Sequence, residues 1–265
     1  MADYSTIDNP STLGFIFYPR RAFTPCPDKA FDLSVPVDRD ISISCRFYAG
    51  DPAWPWILFF HGNGEVVSDY DDVAPFYFQK SLNLAVTDYR GYGTSGGEPT
   101  VTYLVQDAHA IFKETGTELS KRGLRGDLWV MGRSLGSISA LELASSYPGA
   151  LKGLIIESGF SSVTRIIRHL GIPAPGIHLE AIDRACLELI GKVRIPSLII
   201  HGEKDTLVPL REAEDLHAHL GTEEKELLVI SSATHNDIFF VGLGQYMEAL
   251  RRFVEKTERG GAGRV

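Results

Sequence analysis

The stretch Trp129-Val130-Met131-Gly132-Arg133-Ser134-Leu135-Gly136 decides the fold, because a Gly-x-Ser-x-Gly pattern falls on the seam between a strand-like run and a helix-like run. A serine on so sharp a turn is held near positive φ. Side chains two residues away on either side would collide with the neighbouring strand or helix, so both flanks are glycine. Such a turn is a nucleophile elbow. It would stand Ser134 at the carboxyl edge of a sheet, with the helix from Leu135 to Tyr147 pointing its positive end and free N–H groups at charge that develops there. Three fixed positions in five also arise by chance, and a Gly/Ser-rich turn with no chemistry is the plain alternative. The strand-turn-helix context favours the elbow.

Outward from this stretch, strands and helices alternate. Trp56 to Phe60, Leu84 to Thr87, Leu128 to Met131, Leu154 to Ile156, Leu198 to Ile200 and Leu227 to Ile230 are continuous apolar runs, as strands buried on both faces should be. Helical periodicity over Val101 to Arg122, Leu135 to Tyr147, Arg211 to Leu220 and Asp237 to Lys256 supplies crossovers. Phe31 to Ala49 alternates apolar and polar residues and suits an antiparallel hairpin at the sheet edge. These elements predict an α/β fold, a doubly wound and mostly parallel sheet of about eight strands spanning residues 31–256. Residues 1–30, with Pro10, Pro19, Pro25 and Pro27, read as an irregular arm, and 257–265 as a flexible, frayed tail.

With 265 residues and 44% hydrophobic content, the chain can bury one substantial core without a second domain. A net charge of −8 and no Lys/Arg run argue against a nucleic-acid partner. The start lacks a basic n-region, and the apolar run Leu13 to Tyr18 is too short for a signal segment or membrane span, so a cytoplasmic protein is expected. Three widely spaced cysteines, Cys26, Cys45 and Cys186, offer neither a disulfide framework nor a metal knuckle. No metal or other cofactor is expected.

Between Glu157 and Ser197 lie 39 residues, more than the about 10 to 12 that a minimal crossover needs. The natural reading is an inserted lid over about 161–195. Its segment Leu170 to Ile177 is apolar and broken by proline and glycine, as a flap beside a pocket would be. A surface loop plus one helix, Glu180 to Gly191, is the alternative.

Further candidates fall at strand ends. A serine hydroxyl needs a base, and the base needs a carboxylate to hold its tautomer. His235, after the strand ending at Ile230, and Asp205, after the strand Leu198 to His201, fit those roles, although a loop Asp is usually a turn former and a loop His is usually solvated. Glu157, also at a strand end, remains a rival acid. An oxyanion hole would take the backbone N–H of Leu135 and a second donor from His61-Gly62-Asn63-Gly64, with Asn63 preferred. The glycine-dense Asp88 to Pro99 lacks the phosphate-loop patterns and reads as a structural turn, with Tyr92 facing substrate.

Taken together, His61-Gly62-Asn63, Asp88-Tyr89-Arg90-Gly91-Tyr92-Gly93 with Ser95, Gly97 and Pro99, Gly132 to Gly136, Gly202 to Pro209 and His235-Asn236-Asp237 resemble successive blocks of the α/β-hydrolase superfamily. The likeness is to a branch of small serine hydrolases that includes protein depalmitoylases and many bacterial esterases. It implies Ser134 as nucleophile, His235 as base, Asp205 as acid, and the N–H groups of Asn63 and Leu135 as oxyanion hole. Thr234 departs from the branch, which commonly has glycine there. The arm also lacks the cysteine cluster or membrane segment that directs the depalmitoylases to membranes, so depalmitoylation is not expected.

The expected function is therefore hydrolysis of a small carboxylic ester or thioester through an acyl-enzyme. Leu170, Ile172, Pro173 and Ile177, with Tyr92, are expected to form the substrate pocket. A peptidase for short peptides, or a non-catalytic binding protein on the same fold, is the alternative.

Overall fold

The computed structural model of the chain describes residues 3–174 and 177–261. Its centre is one eight-stranded sheet in the order β1-β2-β4-β3-β5-β6-β7-β8. The strands are β1 (Ala30–Asp38), β2 (Ile41–Tyr48), β3 (Trp56–Phe60), β4 (Asn83–Thr87), β5 (Leu128–Arg133), β6 (Leu154–Glu157), β7 (Ser197–Gly202) and β8 (Lys225–Ile230). β2 is antiparallel to both β1 and β4, and β3 to β8 run parallel. The helices are α1 (Pro10–Ile16), α2 (Ala74–Phe78), α3 (Val101–Lys121), α4 (Ser137–Ser146), α5 (Val163–His169), α6 (Leu179–Ile190), α7 (Leu210–His219), α8 (Ile238–Val241) and α9 (Leu243–Gly261).

Every residue of β3, β4, β6 and β7 is buried, which is why these strands read as unbroken apolar runs. Their side chains alternate between two cores. Leu58, Phe60, Val130 and Ile156 pack with α3 and α4, whereas Ile57, Phe59, Trp129, Met131 and Ile155 pack with Tyr246, Leu250 and Phe253 of α9. From β3 the chain crosses to β4 on one side and then returns to β5 on the other. The connections leaving the carboxyl ends of β3 and β5 therefore run in opposite directions along the sheet, and that switch point is where open α/β sheets hold their ligands.

Several expectations change in detail. The arm is not wholly irregular: Asn9 caps α1, its Oδ1 accepting from Thr12 N at 3.1 Å, and Pro10 takes the first turn, where its missing N–H costs nothing. Tyr4, Ile7, Ile16 and Phe17 of the arm are buried. The span 161–195 expected as a lid holds two helices, α5 and α6, and α6 buries Ile182, Cys186 and Ile190. Pro175 and Gly176 of this span lie outside the described residues.

The last helix is interrupted. A Cβ on Gly242 would stand 2.6 Å from the Ile230 side chain, so the chain passes β8 as the short α8, and α9 begins afresh at Leu243. α9 continues to Gly261, into the expected tail, and Thr257 within it is buried. Residues 262–265 lie outside the described residues.

Candidate active site

Ser134 follows directly on β5 with φ 49°, a conformation an L-residue holds only under constraint. The two glycines permit it. A Cβ on Gly132 would meet the Gly136 carbonyl oxygen at 2.4 Å, and one on Gly136 would meet that of Phe60 at 2.1 Å. The helix expected from Leu135 starts as a 3-10 turn, Ser134–Gly136, and becomes α-helical at Ser137, whose Oγ donates to the Ser134 carbonyl at 2.6 Å.

The loops after β7 and β8 meet this turn. His235 Nε2 lies 3.0 Å from Ser134 Oγ, and His235 Nδ1 lies 2.7 Å from Asp205 Oδ2. A carboxylate only accepts, so Nδ1 carries the proton and Nε2 faces the serine hydroxyl as an acceptor. Asp205 is itself held, its Oδ1 accepting from Leu207 N at 3.0 Å and Val208 N at 2.8 Å. All three side chains are buried, with Ser134 only 8% exposed.

Glu157 does not join this row. It accepts from Arg133 Nε at 2.9 Å and from Tyr246 Oη at 2.7 Å. Arg133, which the sequence reading passed over, links three loops: it pairs with Glu157 and with Glu65, and its Nη2 donates to the His235 carbonyl at 2.9 Å. Glu65 in turn accepts from Gly62 N at 2.8 Å and Tyr70 Oη at 2.7 Å. Burial opposes the Arg133 cation, but Glu65 and Glu157 outweigh it and raise its pKa. Burial likewise pushes the Glu65 carboxyl up, and Arg133 with His61, Tyr70 and Gly62 more than reverses this, leaving it below its ordinary value. The available signal was an arginine closing a buried strand, where an ion needs partners.

Ser134, Leu135 and Asn63 share one cleft, with an empty volume of about 550 Å³ that includes its open mouth. Leu170 and Ile172 line it, together with Val163 and Ile166 of α5. Tyr92, Pro173 and Ile177 stand elsewhere. Tyr92 is 0% exposed and sits behind Asn63, donating to its Oδ1 at 2.6 Å. Pro173 is exposed and offers its carbonyl to Thr12 Oγ1 at 3.0 Å, and Ile177 packs on the main core. Phe15, Ile16 and Tyr18 of the arm also line the cleft, and nothing in their local pattern announced it.

The glycine-dense loop after β4 is a structural turn. Arg90 binds Asp107 through Nε at 2.7 Å and Nη2 at 2.8 Å, and Ser95 Oγ accepts from Ser44 N of β2 at 2.9 Å. Among the described residues no group of three or more His, Cys, Asp or Glu could hold a metal ion, and no helix is long and apolar enough to cross a membrane.

A serine at positive φ on the strand-to-helix turn, with eight strands in this order, gives the chain the α/β-hydrolase fold. The profile of a hydrolase family described as serine aminopeptidase, S33, matches residues 52–179. Alpha/beta hydrolase domain-containing protein 17B of Homo sapiens is 29% identical over 220 residues, 81% of this chain and 71% of that protein. YfhR of Salmonella typhi, itself uncharacterized, is 26% identical over 75% of this chain and 70% of its own length. Among solved structures, the Pyrococcus furiosus esterase Pf2001 superposes with a TM-score of 0.72 at 18% identity, over 90% of this chain and 98% of its own. Est1E from Butyrivibrio proteoclasticus, bound to ferulic acid, gives 0.70 at 19%, over 86% and 99%.

Proposed function

We propose that the chain is a serine hydrolase that cleaves a small carboxylic ester or thioester through an acyl-enzyme. The observation that carries this is the unbroken row Asp205, His235, Ser134 ending at the floor of a cleft with apolar walls. In this reaction Ser134 Oγ attacks the substrate carbonyl while His235 Nε2 takes its proton, and Asp205 stabilises the imidazolium that forms. The N–H groups of Asn63 and Leu135 receive the developing oxyanion. His235 then hands the proton to the departing alcohol or thiol. Water, deprotonated by the same nitrogen, attacks the acyl-serine and releases the carboxylic acid and free Ser134. The nucleophile, base and acid all come from the chain, so the cycle requires no cofactor.

The acyl group occupies the cleft. Among the described residues that line it none is charged, which favours an uncharged, apolar acyl chain. Leu170 and Ile172 at its wall supply the surface that such a chain covers.

The test is labelling by a fluorophosphonate probe together with hydrolysis of p-nitrophenyl esters. Wild type is expected to be labelled and to turn over esters, and Ser134→Ala to do neither. Equal labelling of the two proteins would defeat the reading. The aminopeptidase description of the matching family profile favours a second reading, a peptidase of short peptides; faster turnover of aminoacyl p-nitroanilides than of esters would select it.

A further inference from the structure

Residues 3–29 carry no motif, yet they meet the cleft at two independent places. The first is its wall. Phe15, Ile16 and Tyr18 face the space that Ser134, Ile166 and Ile172 line from the other side. Ile16 is buried, whereas Phe15 and Tyr18 are 52% and 61% exposed, as side chains at a mouth are. Arm and lid also touch each other, through the bond from Thr12 Oγ1 to the Pro173 carbonyl.

The second place is Asn63. Its Nδ2 donates to the Ile16 carbonyl at 2.6 Å, and its Oδ1 accepts from Tyr18 N at 3.0 Å and Tyr92 Oη at 2.6 Å. The carboxamide is thus gripped between the backbone of residues 16 and 18 on one side and Tyr92 on the other. Next along the loop, Arg20 Nε donates to the Gly64 carbonyl at 3.0 Å. The arm can hold because it is itself fixed. Asp8 accepts from Val101 N at 2.8 Å and Thr102 N at 3.1 Å at the start of α3, where a carboxylate also meets the positive end of a helix. Gly93 N donates to the Arg20 carbonyl at 2.9 Å.

We infer that the amino-terminal arm is a working part of the active site: residues 15–18 form the wall that selects the acyl chain, and their backbone clamps Asn63, fixing the loop that stabilises the oxyanion. This rests on the acyl-transfer reading given above. The ligand class is an uncharged acyl chain of medium length, whose far methylenes lie against Phe15 and Ile16. Asn63 acts through its backbone N–H, because its side chain is spent on the arm. The arm backbone and Tyr92 are positioning groups. A donor fixed before the reaction begins contributes to the transition state rather than to substrate binding, so the clamp and the wall differ in kinetic signature.

The experiment uses the full chain and p-nitrophenyl acetate, butyrate, hexanoate and octanoate. Ile16→Ala and Phe15→Ala keep every backbone bond, and each is expected to lower kcat/KM about tenfold more for octanoate than for acetate, mainly through KM. Asn63→Ala is expected to lower kcat by about ten- to a hundredfold at every chain length while KM stays within about twofold. Asn63→Asp keeps both accepted bonds but sets a carboxylate oxygen against the Ile16 carbonyl and a negative charge beside the oxyanion, and is expected to lose at least as much kcat as Asn63→Ala. Thermal unfolding checks each variant. If Asn63→Ala does not fold, Tyr92→Phe, which removes one hydroxyl from behind the loop, carries the clamp test with a several-fold loss of kcat. Equal effects of the wall variants on all esters, or a clamp variant that changes KM alone, overturns the inference. A wild type that is neither labelled by fluorophosphonate nor active on any ester instead overturns the hydrolase reading beneath it.

Discussion

Arg133 and Glu157, register partners across β5 and β6, are joined Nε to Oε1 at 2.9 Å. The carboxylate that competed on sequence grounds for the histidine is thereby committed to the guanidinium of the residue before Ser134. Its other oxygen is held by Tyr246. Asp205, one loop further along the sheet edge, is left as the partner of His235 Nδ1.

The two carboxylates should therefore fail differently. Asp205→Asn is expected to cost about 10⁴ in kcat, because an amide no longer holds the histidine tautomer, while Tm falls little. Glu157→Gln should cost far less activity but destabilise the protein by about 3 kcal/mol, since a buried guanidinium loses one of its charge partners. Steady-state kinetics and thermal melts on both variants decide it. The opposite pattern would move the acid to Glu157.

Ser134→Ala and His235→Ala should each lower kcat on a p-nitrophenyl ester by several decades, and the double variant should be hardly slower than either. Groups acting as one unit do not lose activity additively. Multiplicative losses in the double variant would show that Ser134 and His235 act separately.

Acyl length should matter until the cleft is full, each added methylene improving kcat/KM in line with about 0.8 kcal/mol of burial. Ile172, on the cleft wall, and Ile177, packed on the core, separate two uses of the same segment. Ile172→Ser is expected to flatten the acyl-length trend, costing octanoate far more than acetate. Ile177→Ser should lower Tm and leave the slope of that trend as in wild type. Equal flattening by both would mean that the segment moves as one flap.

His201, fully buried in β7, has its Nε2 at 2.8 Å from the Val208 carbonyl and 3.5 Å from Asp205. Burial lowers its pKa below the ordinary imidazole value, outweighing the support from Val208 and Asp205. The unfolded chain then binds the proton first as pH falls below about 6.5. Stability from this group is complete above that pH and is lost as pH drops from the unfolded pKa to the lower folded one. Replacement by asparagine should make Tm fall less steeply between about pH 7 and pH 5 than in wild type. Parallel Tm curves would clear His201 of this role.

What the sequence determined by itself is the frame. Buried parallel strands must be apolar without interruption, and a Gly-x-Ser-x-Gly turn must follow one of them, because strand and helix backbones approach within 2.4 Å of where a Cβ would lie. Both are local requirements, written in neighbouring residues, and they placed β3 to β8 and the sharp turn at Ser134. The cap Asn9-Pro10 was just as local and marks α1 in the same way. Only the tertiary structure decided which carboxylate faces His235, because Asp205 and Glu157 occupy equivalent strand ends and differ in what lies across the sheet: Arg133 takes one and leaves the other. It also decided that Tyr92 stands behind the cleft and that Phe15, Ile16 and Tyr18 stand in it. Those contacts join residues tens of positions apart, and no periodicity or spacing within a segment records them, since they arise only when the folded sheet brings its edges and the arm together.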